Sequence, residues 1–354
     1  MTATESMVHP AYQAIALQTA CYGVNGLEIP AARARMLQTV AAIALQIRAA
    51  KMFTGPDVRL VVLPEYFLTS YPAGEPIPAW KALAAIEIDG PEYAALGKVA
   101  SDNKVFIAGN AYEVDPHFPQ LYFQTCFLID DTGNVVLRYR RLISMYAPTP
   151  HDVWDAYLDR YGLEGVFPVA QTELGRIACV ASEEILYPEI SRALALRGAE
   201  VITHSTSEVG SPQLTPKDIA KRARAMENLA YVVSANSAGI YNAGIPPNAT
   251  DGMSKIVDYK GAVMAEAGYG ETAAATAELD LAALRRYRNR PGMPNLLSRQ
   301  RLELFSATYS GLPIHQANGL TTPDGYAVPE RKFFVDQQAA AITQLIEQDI
   351  IKPC

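Results

Sequence analysis

The 354-residue chain is long enough for one large layered domain or two ordinary ones, and 49% of it is hydrophobic, which is ample for a core. Its net charge of −7 and the lack of a dense Lys/Arg run argue against a nucleic-acid partner. No apolar run approaches the roughly 18 residues of a membrane span. The first residues lack the basic and apolar regions of a secretory signal, so we expect a cytoplasmic protein.

Four cysteines are scattered along the chain, at Cys21, Cys126, Cys179 and Cys354. None forms a CxxC pair or has zinc-type spacing to histidine, so we expect reduced, mostly buried thiols. The chain also lacks the glycine-rich phosphate-binding motifs of nucleotide cofactors. Neither a metal nor a cofactor is therefore expected.

Strand and helix patterns alternate through the first half of the chain. A β-like run at 14–23 precedes a long amphipathic helix at 27–51, in which apolar residues recur at helical spacing. A buried-strand run at 59–63 stops at Pro64-Glu65. The remaining expected elements are a helix at 92–103 and strands at 105–114, 121–130 and 135–142. Glu113 closes the first of these three strands and is expected to be exposed.

A similar layout follows in the second half, which predicts a layered α/β sandwich. The expected elements are strands at 176–181, 200–204 and 231–236, helices at 189–198 and 218–229, and a strand pair at 254–258 and 262–267. Regularity fades after Asp280. We therefore divide the chain into a domain at 1–288 and a C-terminal extension at 289–354, which packs on the body or on a partner subunit and ends in a helix at 337–351.

Four segments contain the residues that are candidates for catalysis. They are 61–67 (VVLPEYF), 133–142 (GNVVLRYRRL), 175–189 (GRIACVASEEILYPE) and 222–228 (RARAMEN). Together, and in this order, they resemble the nitrilase superfamily of carbon–nitrogen hydrolases over roughly residues 12–290. The resemblance implies an α-β-β-α sandwich that forms four layers as a homodimer or higher homo-oligomer, acting on a small-molecule substrate.

The resemblance also assigns three catalytic positions. Glu65 matches the family's general base, Arg141 stands where the family has a lysine, and Ser182 stands where it has the nucleophilic cysteine. An alcohol is several pKa units less acidic than a thiol, so a carboxylate base alone is poorly matched to it. Arginine keeps the charge needed to stabilise an oxyanion but cannot shuttle protons.

Other residues near these segments are candidates for substrate binding, namely Tyr71, His151 and Glu183. Each has a plainer alternative: packing for Tyr71, an ordinary loop position for His151 and, for Glu183 with Glu184, a helix-start or solvent-facing charge pair. Cys179 is interpreted as a core residue, because it precedes Ser182 by three positions within the strand.

Three hypotheses for function follow. The first is a hydrolase of a small amide, nitrile or carbamoyl compound that uses an altered Glu65–Arg141–Ser182 site. The second is a catalytically impaired relative that binds a small polar ligand, either a natural pseudoenzyme or a protein whose cysteine was deliberately replaced by serine. The third is different chemistry in the same pocket. Specificity is expected to come from loops at 144–165 and 205–217 and from the C-terminal tail.

Overall fold

The fold is built from two six-stranded sheets that pack face to face with helices outside them. The computed structural model describes residues 11–208, 215–247, 250, 252–270 and 272–353. The strands are β1 (Tyr12–Gln18), β2 (Ala20–Tyr22), β3 (Val58–Val62), β4 (Phe106–Val114), β5 (Tyr122–Ile129), β6 (Val135–Arg140), β7 (Ala170–Thr172), β8 (Gly175–Ala181), β9 (Val201–Ser205), β10 (Tyr231–Ala235), β11 (Gly239–Tyr241), β12 (Lys255–Val257), β13 (Val263–Glu266), β14 (Ala273–Leu279), β15 (Thr321–Thr322) and β16 (Gly325–Tyr326).

The helices lie between and after these strands. They are α1 (Ile29–Thr54), α2 (Ile77–Ala84), α3 (Pro91–Asn103), α4 (Trp154–Val166), α5 (Pro188–Leu196), α6 (Pro216–Asn228), α7 (Leu281–Asn289), α8 (Leu296–Arg299), α9 (Glu303–Ser310) and α10 (Arg331–Glu347), with 3-10 turns at Pro150–Val153 and Ser182–Leu186. No helix among the described residues is both long and apolar enough to cross a membrane.

The two sheets follow the two halves of the sequence. The first has the order β14-β1-β3-β4-β5-β6 and the second β13-β12-β10-β9-β8-β7. Strands β1, β3 and β4 are parallel, as are β8, β9 and β10. Parallel neighbours end at the same edge of a sheet, so the carboxyl ends of these strands gather the residues that follow them.

Alternation along each strand separates two hydrophobic clusters. On β3, Leu60 and Val62 face the second sheet and share a core with it, whereas Val61 faces α1, α2 and α3. Successive strand side chains point to opposite faces, so one strand supplies both clusters. Helices α5 and α6 cover the outer face of the second sheet. This α-β-β-α sandwich is the predicted fold.

Most sequence-predicted elements occur within a few residues of their expected bounds, but three expectations were wrong. The segment at 144–165 is not a long loop, because it contains a 3-10 turn and α4. Regular structure continues past Asp280 in α7, α8 and α9. Glu113, expected to be exposed, is fully buried because it accepts hydrogen bonds from Arg138 and Arg140.

Residues of the C-terminal extension pack against the body. Phe334 of α10 is buried in the cluster beneath α1–α3, and Leu320 is buried beside α4. The Arg331 guanidinium lies 4.0 Å from the centre of the Tyr146 ring, a cation–π distance. The extension thereby reaches the same edge of the sheets as the carboxyl ends of β3 and β8.

Candidate active site

Contacts between the two sheets bring their strand ends together. The Ser205 hydroxyl donates to the Leu63 carbonyl at 2.8 Å, and the Glu65 amide donates to the Thr206 carbonyl at 3.2 Å. The chain turns sharply after β3, where Pro64 cannot donate to a ladder and Tyr66 has a φ of +62°. Glu65 is thereby held at the base of the junction between the sheets.

The Glu65 carboxylate is fully buried in a polar network. Its Oε1 accepts from Gln124 Nε2 at 2.6 Å and from Arg141 Nη1 at 3.4 Å. Its Oε2 is buried without a hydrogen-bond partner among the described residues. Burial, and then the Glu65 charge, raise the pKa of the neighbouring Tyr66 well above its usual value. One carboxylate oxygen is therefore left for a ligand.

Arg141 uses most of its donors inside this network. Nε donates to the Ile143 carbonyl at 2.7 Å, Nη1 donates to Gln124 Oε1 at 2.6 Å as well as to Glu65, and Nη2 pairs with Glu183. Burial alone would lower its pKa, but the two carboxylates raise it above the ordinary value. Arg141 is thus a fixed cation between two anions rather than a free oxyanion donor.

Ser182 lies at the sharp junction between β8 and the 3-10 turn. Its φ is +43°, in the left-handed region that disfavours residues with a Cβ, and only 4% of the residue is exposed. Strain of this kind concentrates at functional sites, and a strained strand-to-helix turn is how hydrolases present a nucleophile. Within the described chain, no hydrogen bond joins the Ser182 hydroxyl to Glu65 or Arg141.

Lys217 is the partner of the Ser182 hydroxyl. Its Nζ lies 3.1 Å from Ser182 Oγ, 3.3 Å from Thr206 Oγ1 and 3.5 Å from the Ser207 carbonyl. Thr215 caps α6 by accepting from the Asp218 amide, with Pro216 at the first helical position. Lys217 therefore sits in a well-defined first turn, aimed at the strand ends.

A histidine also approaches Ser182, but from its backbone side. His204 Nε2 lies 2.8 Å from the Ser182 carbonyl, and Nδ1 lies 2.8 Å from the Ser234 hydroxyl. Burial, with Lys221 adding to it, lowers the pKa of His204 to about 3, so the ring is neutral. A neutral ring that bonds a carbonyl must donate through Nε2. His204 therefore braces the turn and does not act on the hydroxyl.

The two glutamates after Ser182 have different environments. Glu184 is fully buried and accepts from the Tyr139 hydroxyl at 2.8 Å and from the Leu142 and Ile143 amides at 2.7 and 3.0 Å. Burial raises the pKa of Glu184 to about 7, although Arg141 and these donors oppose the shift. Glu183 is partly exposed and paired with Arg141. Glu183 and Glu184 are therefore not a solvent-facing charge pair, because Glu184 is buried and Glu183 is paired with Arg141.

An open cavity of about 650 Å³ lies above this network. Tyr66, Tyr71, Gln124, Arg141 and Glu183 line its inner part, and residues of the C-terminal extension, including Arg331 and Phe334, line its outer part. Glu65 is fully buried and only 4% of Ser182 is exposed, whereas their chain neighbours Tyr66 and Glu183 line this cavity. Tyr71 and Glu183 accordingly have positions from which they can contact a ligand.

His151 faces a second cavity of about 710 Å³, next to the first. Glu183 and Phe334 line both cavities, whereas Tyr71 and Arg141 line only the first. His151 belongs to a 3-10 turn, not a loop, and burial lowers its pKa. The structure thus separates His151 from Glu65, Arg141 and Ser182.

Sequence reasoning missed Lys217 and His204. A signal for Lys217 was present, because Lys217, Lys221 and Arg224 are spaced as one face of a helix. Arg224 on that face donates to the Ile185 and Leu186 carbonyls of the turn after Ser182. The interpretation of Cys179 as a core residue is confirmed, since it is buried, accepts from Thr203 and has its pKa raised to about 12 by burial.

Comparison with known proteins shows which family of proteins the chain is similar to. Residues 15–289 match the family model described as carbon-nitrogen hydrolase. A curated relative from Pseudomonas protegens, "Hydrolase in pqqF 5'region", is 32% identical over 187 residues, which is 52% of this chain and 60% of the relative. A formamidase from Bradyrhizobium diazoefficiens is 28% identical over 211 residues, 60% of this chain and 57% of the relative.

Among solved structures, a carbon-nitrogen hydrolase from Helicobacter pylori G27 superimposes with a TM-score of 0.62 at 20% identity, covering 85% of this chain and 98% of that one. At this identity the similarity concerns the fold. The matched segments span only about three fifths of the curated relatives named above.

Proposed function

We propose that this chain, which belongs to the carbon-nitrogen hydrolase family, hydrolyses a small amide through a covalent acyl intermediate on Ser182. Nitriles and carbamoyl compounds are the other members of the substrate class. The observation that carries the proposal is the strained backbone of Ser182, at φ +43°, in a turn held by His204 and by the contacts of α6. Such strain persists only where the surroundings enforce it.

Charged groups around Ser182 support attack on a carbonyl. We assign Glu65 a positioning role, in which its one unpartnered buried oxygen accepts a hydrogen bond from the substrate's amide nitrogen or from a hydrolytic water. Arg141 balances the charges of Glu65 and Glu183 and fixes both carboxylates in place. Tyr71 and Glu183 form the cavity wall that contacts the rest of the substrate.

A relative supplies the substrate class. The Bradyrhizobium protein is described as a formamidase, so primary amides are the first compounds to test. The cavity of about 650 Å³ exceeds the volume of formamide itself, so we expect longer acyl groups or polar extensions to be preferred.

A ligand-binding role without turnover is the second candidate. It is favoured by the engaged donors of Arg141 and by the burial of the Ser182 and Glu65 side chains. In that case a small polar ligand would bind above Arg141 without reaching the hydroxyl.

One experiment distinguishes amide hydrolysis from ligand binding without turnover. The protein is incubated with formamide, acetamide, propionamide and longer primary amides, ammonia release is measured, and quenched samples are analysed by mass spectrometry with peptide mapping. We expect ammonia release and an acyl group on Ser182, both abolished in Ser182→Ala. Calorimetric binding of an amide with no ammonia and no adduct would instead establish the binding role.

A further inference from the structure

We propose that Lys217 is the catalytic proton-transfer group for Ser182, so that the site works as a serine–lysine pair; this inference rests on the proposed hydrolase function. The family resemblance leads one to expect a lysine just after strand β6, where this chain has Arg141. Here a lysine reaches the nucleophile position from a different element, the first turn of α6.

Geometry singles out Lys217. A general base must lie within about 2.6–3.2 Å of the atom that it deprotonates, and Nζ lies 3.1 Å from Ser182 Oγ. Among the described residues it is the one titratable side chain hydrogen-bonded to that hydroxyl. His204 contacts only the Ser182 carbonyl, and the Glu65 contacts go to Gln124 and Arg141.

The surroundings of Lys217 leave it uncommitted to an ion pair. Its other contacts are the Thr206 hydroxyl and the Ser207 carbonyl, both uncharged. The nearby carboxylate of Glu208 is bound instead by Lys221, one helical turn further along α6, at 2.6 Å. Within the part of the chain that the structure describes, no carboxylate lies within salt-bridge distance of Lys217. The side chain is therefore aimed at Ser182 and makes no direct ion pair with a described carboxylate.

A lysine also resolves the chemical mismatch created by serine. A free amine is a far stronger base than a carboxylate, so it is better matched to an alcohol than Glu65 is. Arg141 cannot take this role, because a guanidinium does not lose its proton in proteins. Lysine bases paired with serine nucleophiles are an established chemical solution on other folds.

The proposed steps balance. Neutral Lys217 Nζ takes the proton of Ser182 Oγ while Oγ bonds to the amide carbon and the carbonyl π pair moves to oxygen. As that pair re-forms the carbonyl, the C–N bond breaks and Nζ gives its proton to the departing nitrogen, which leaves as ammonia. A water then attacks the acyl carbon and passes a proton to Nζ, and Nζ returns it to Oγ as the ester bond breaks. The products are a carboxylic acid and ammonia.

The test follows acylation of Ser182 directly. Acetylation by p-nitrophenyl acetate is measured as a p-nitrophenolate burst and mapped to Ser182 by mass spectrometry, in parallel with turnover of the best amide. Lys217→Met removes the amine at similar length, Lys217→Arg keeps the charge without the base, and Lys98→Met is an exposed-lysine control. We expect both Lys217 variants to acylate about 10²–10⁴-fold more slowly, with Lys98→Met unchanged. Lys217→Ala should recover part of the rate with added ethylamine.

The outcomes separate the two proposals. Acylation of Ser182 at the wild-type rate in Lys217→Met, or within a few-fold in Lys217→Arg, would overturn the base role while leaving the hydrolase function standing. If the parent shows neither turnover nor a Ser182 adduct, and behaves like Ser182→Ala, the hydrolase function fails and the serine–lysine pair fails with it. Circular dichroism melting confirms that each variant is folded.

Discussion

At the scale of single residues, the site is explained by where its charges are neutralised. Arg141 stands between Glu65 and Glu183, and the buried Glu65 carboxylate needs it, because a buried unpaired charge is costly. Ser182 has a separate partner in Lys217. The three positions that the sequence predicted as one site thus form two neighbouring groups. One group is Arg141 with its two carboxylates, and the other is Ser182 with Lys217.

Restoring the family pattern tests whether these residues are adaptations. Ser182→Cys and Arg141→Lys should each lower amide turnover, and the double variant should not recover it. A lysine at 141 has one donor group and cannot reach Gln124, Glu65, Glu183 and the Ile143 carbonyl together. We expect Arg141→Lys to cost at least tenfold in turnover and about 3 kcal/mol in stability, by analogy with broken buried ion pairs.

Ammonia release and urea unfolding measure both effects. A double variant that hydrolyses amides faster than the parent would identify a pseudoenzyme. A gain of several orders of magnitude from Ser182→Cys alone would indicate that serine replaced a natural cysteine. Ser182→Ala is the control for background hydrolysis.

The raised pKa of Glu184 predicts that the stability of the folded protein depends on pH. The folded carboxyl holds its proton up to about pH 7, whereas the unfolded one releases it near pH 4.5. The folded state thus binds more protons in this window, so the Glu184 contribution is complete below pH 4.5 and is lost as pH rises to about 7. The loss is on the order of 3 kcal/mol.

Glu184→Gln keeps the side-chain shape and removes the titration. The stability difference between parent and Glu184→Gln, from urea unfolding at several pH values, should change between pH 4.5 and 7 and level off above. Glu164→Gln, at an exposed glutamate, should give a flat difference. A flat difference for Glu184→Gln as well would show that its three donors keep the carboxylate ionised throughout.

At the scale of helices and strands, sequence periodicity predicted the elements that bury one face in a core. Helix α1 and strands β3 to β6 have strong patterns because each supplies a face to a core. Helix α2 was missed because it has only eight residues and lies among prolines, and α4 because a glycine with φ +61°, Gly162, interrupts it. Lys217 was missed because its partner is distant in sequence: α6 and β8 meet only because β8, β9 and β10 are neighbours in one sheet that α6 covers.

Helix α10 closes the outer wall of the cavity, and Phe334 anchors it. Truncating this buried ring to alanine should lower stability by about 3 kcal/mol. It should also raise KM for the preferred amide more than it lowers kcat, because the wall loosens while Ser182 and Lys217 stay in place. Thermal melting and steady-state kinetics give both quantities, with exposed Phe53→Ala on α1 as the matched control. Unchanged KM in a destabilised Phe334→Ala would mean that α10 does not contact substrate.

At the scale of the whole molecule, the unexplained feature is apolar surface outside the sandwich. Helix α9 has no buried residue in the described chain, although it carries large apolar side chains. Leu304, Phe305 and Tyr309 are each more than half exposed. The Tyr309 hydroxyl donates to Glu189 of α5 at 2.9 Å, so α9 lies beside the outer helical layer. Exposed apolar groups gathered on one side of a protein mark an interaction surface.

We therefore predict a homodimer in which α5, α6 and α9 of one protomer cover those of its partner and place four layers together. Size-exclusion chromatography with light scattering at micromolar concentration should give twice the chain mass. Leu304→Glu with Phe305→Glu should shift it to the monomer, because charge in a desolvated interface is costly, whereas the exposed pair Met52→Glu and Phe53→Glu on α1 should leave it dimeric. Since α9 precedes the segment that lines the cavity, the monomer should also lose amide affinity. A monomeric parent protein would refute the assembly and leave the exposed face of α9 for a different partner.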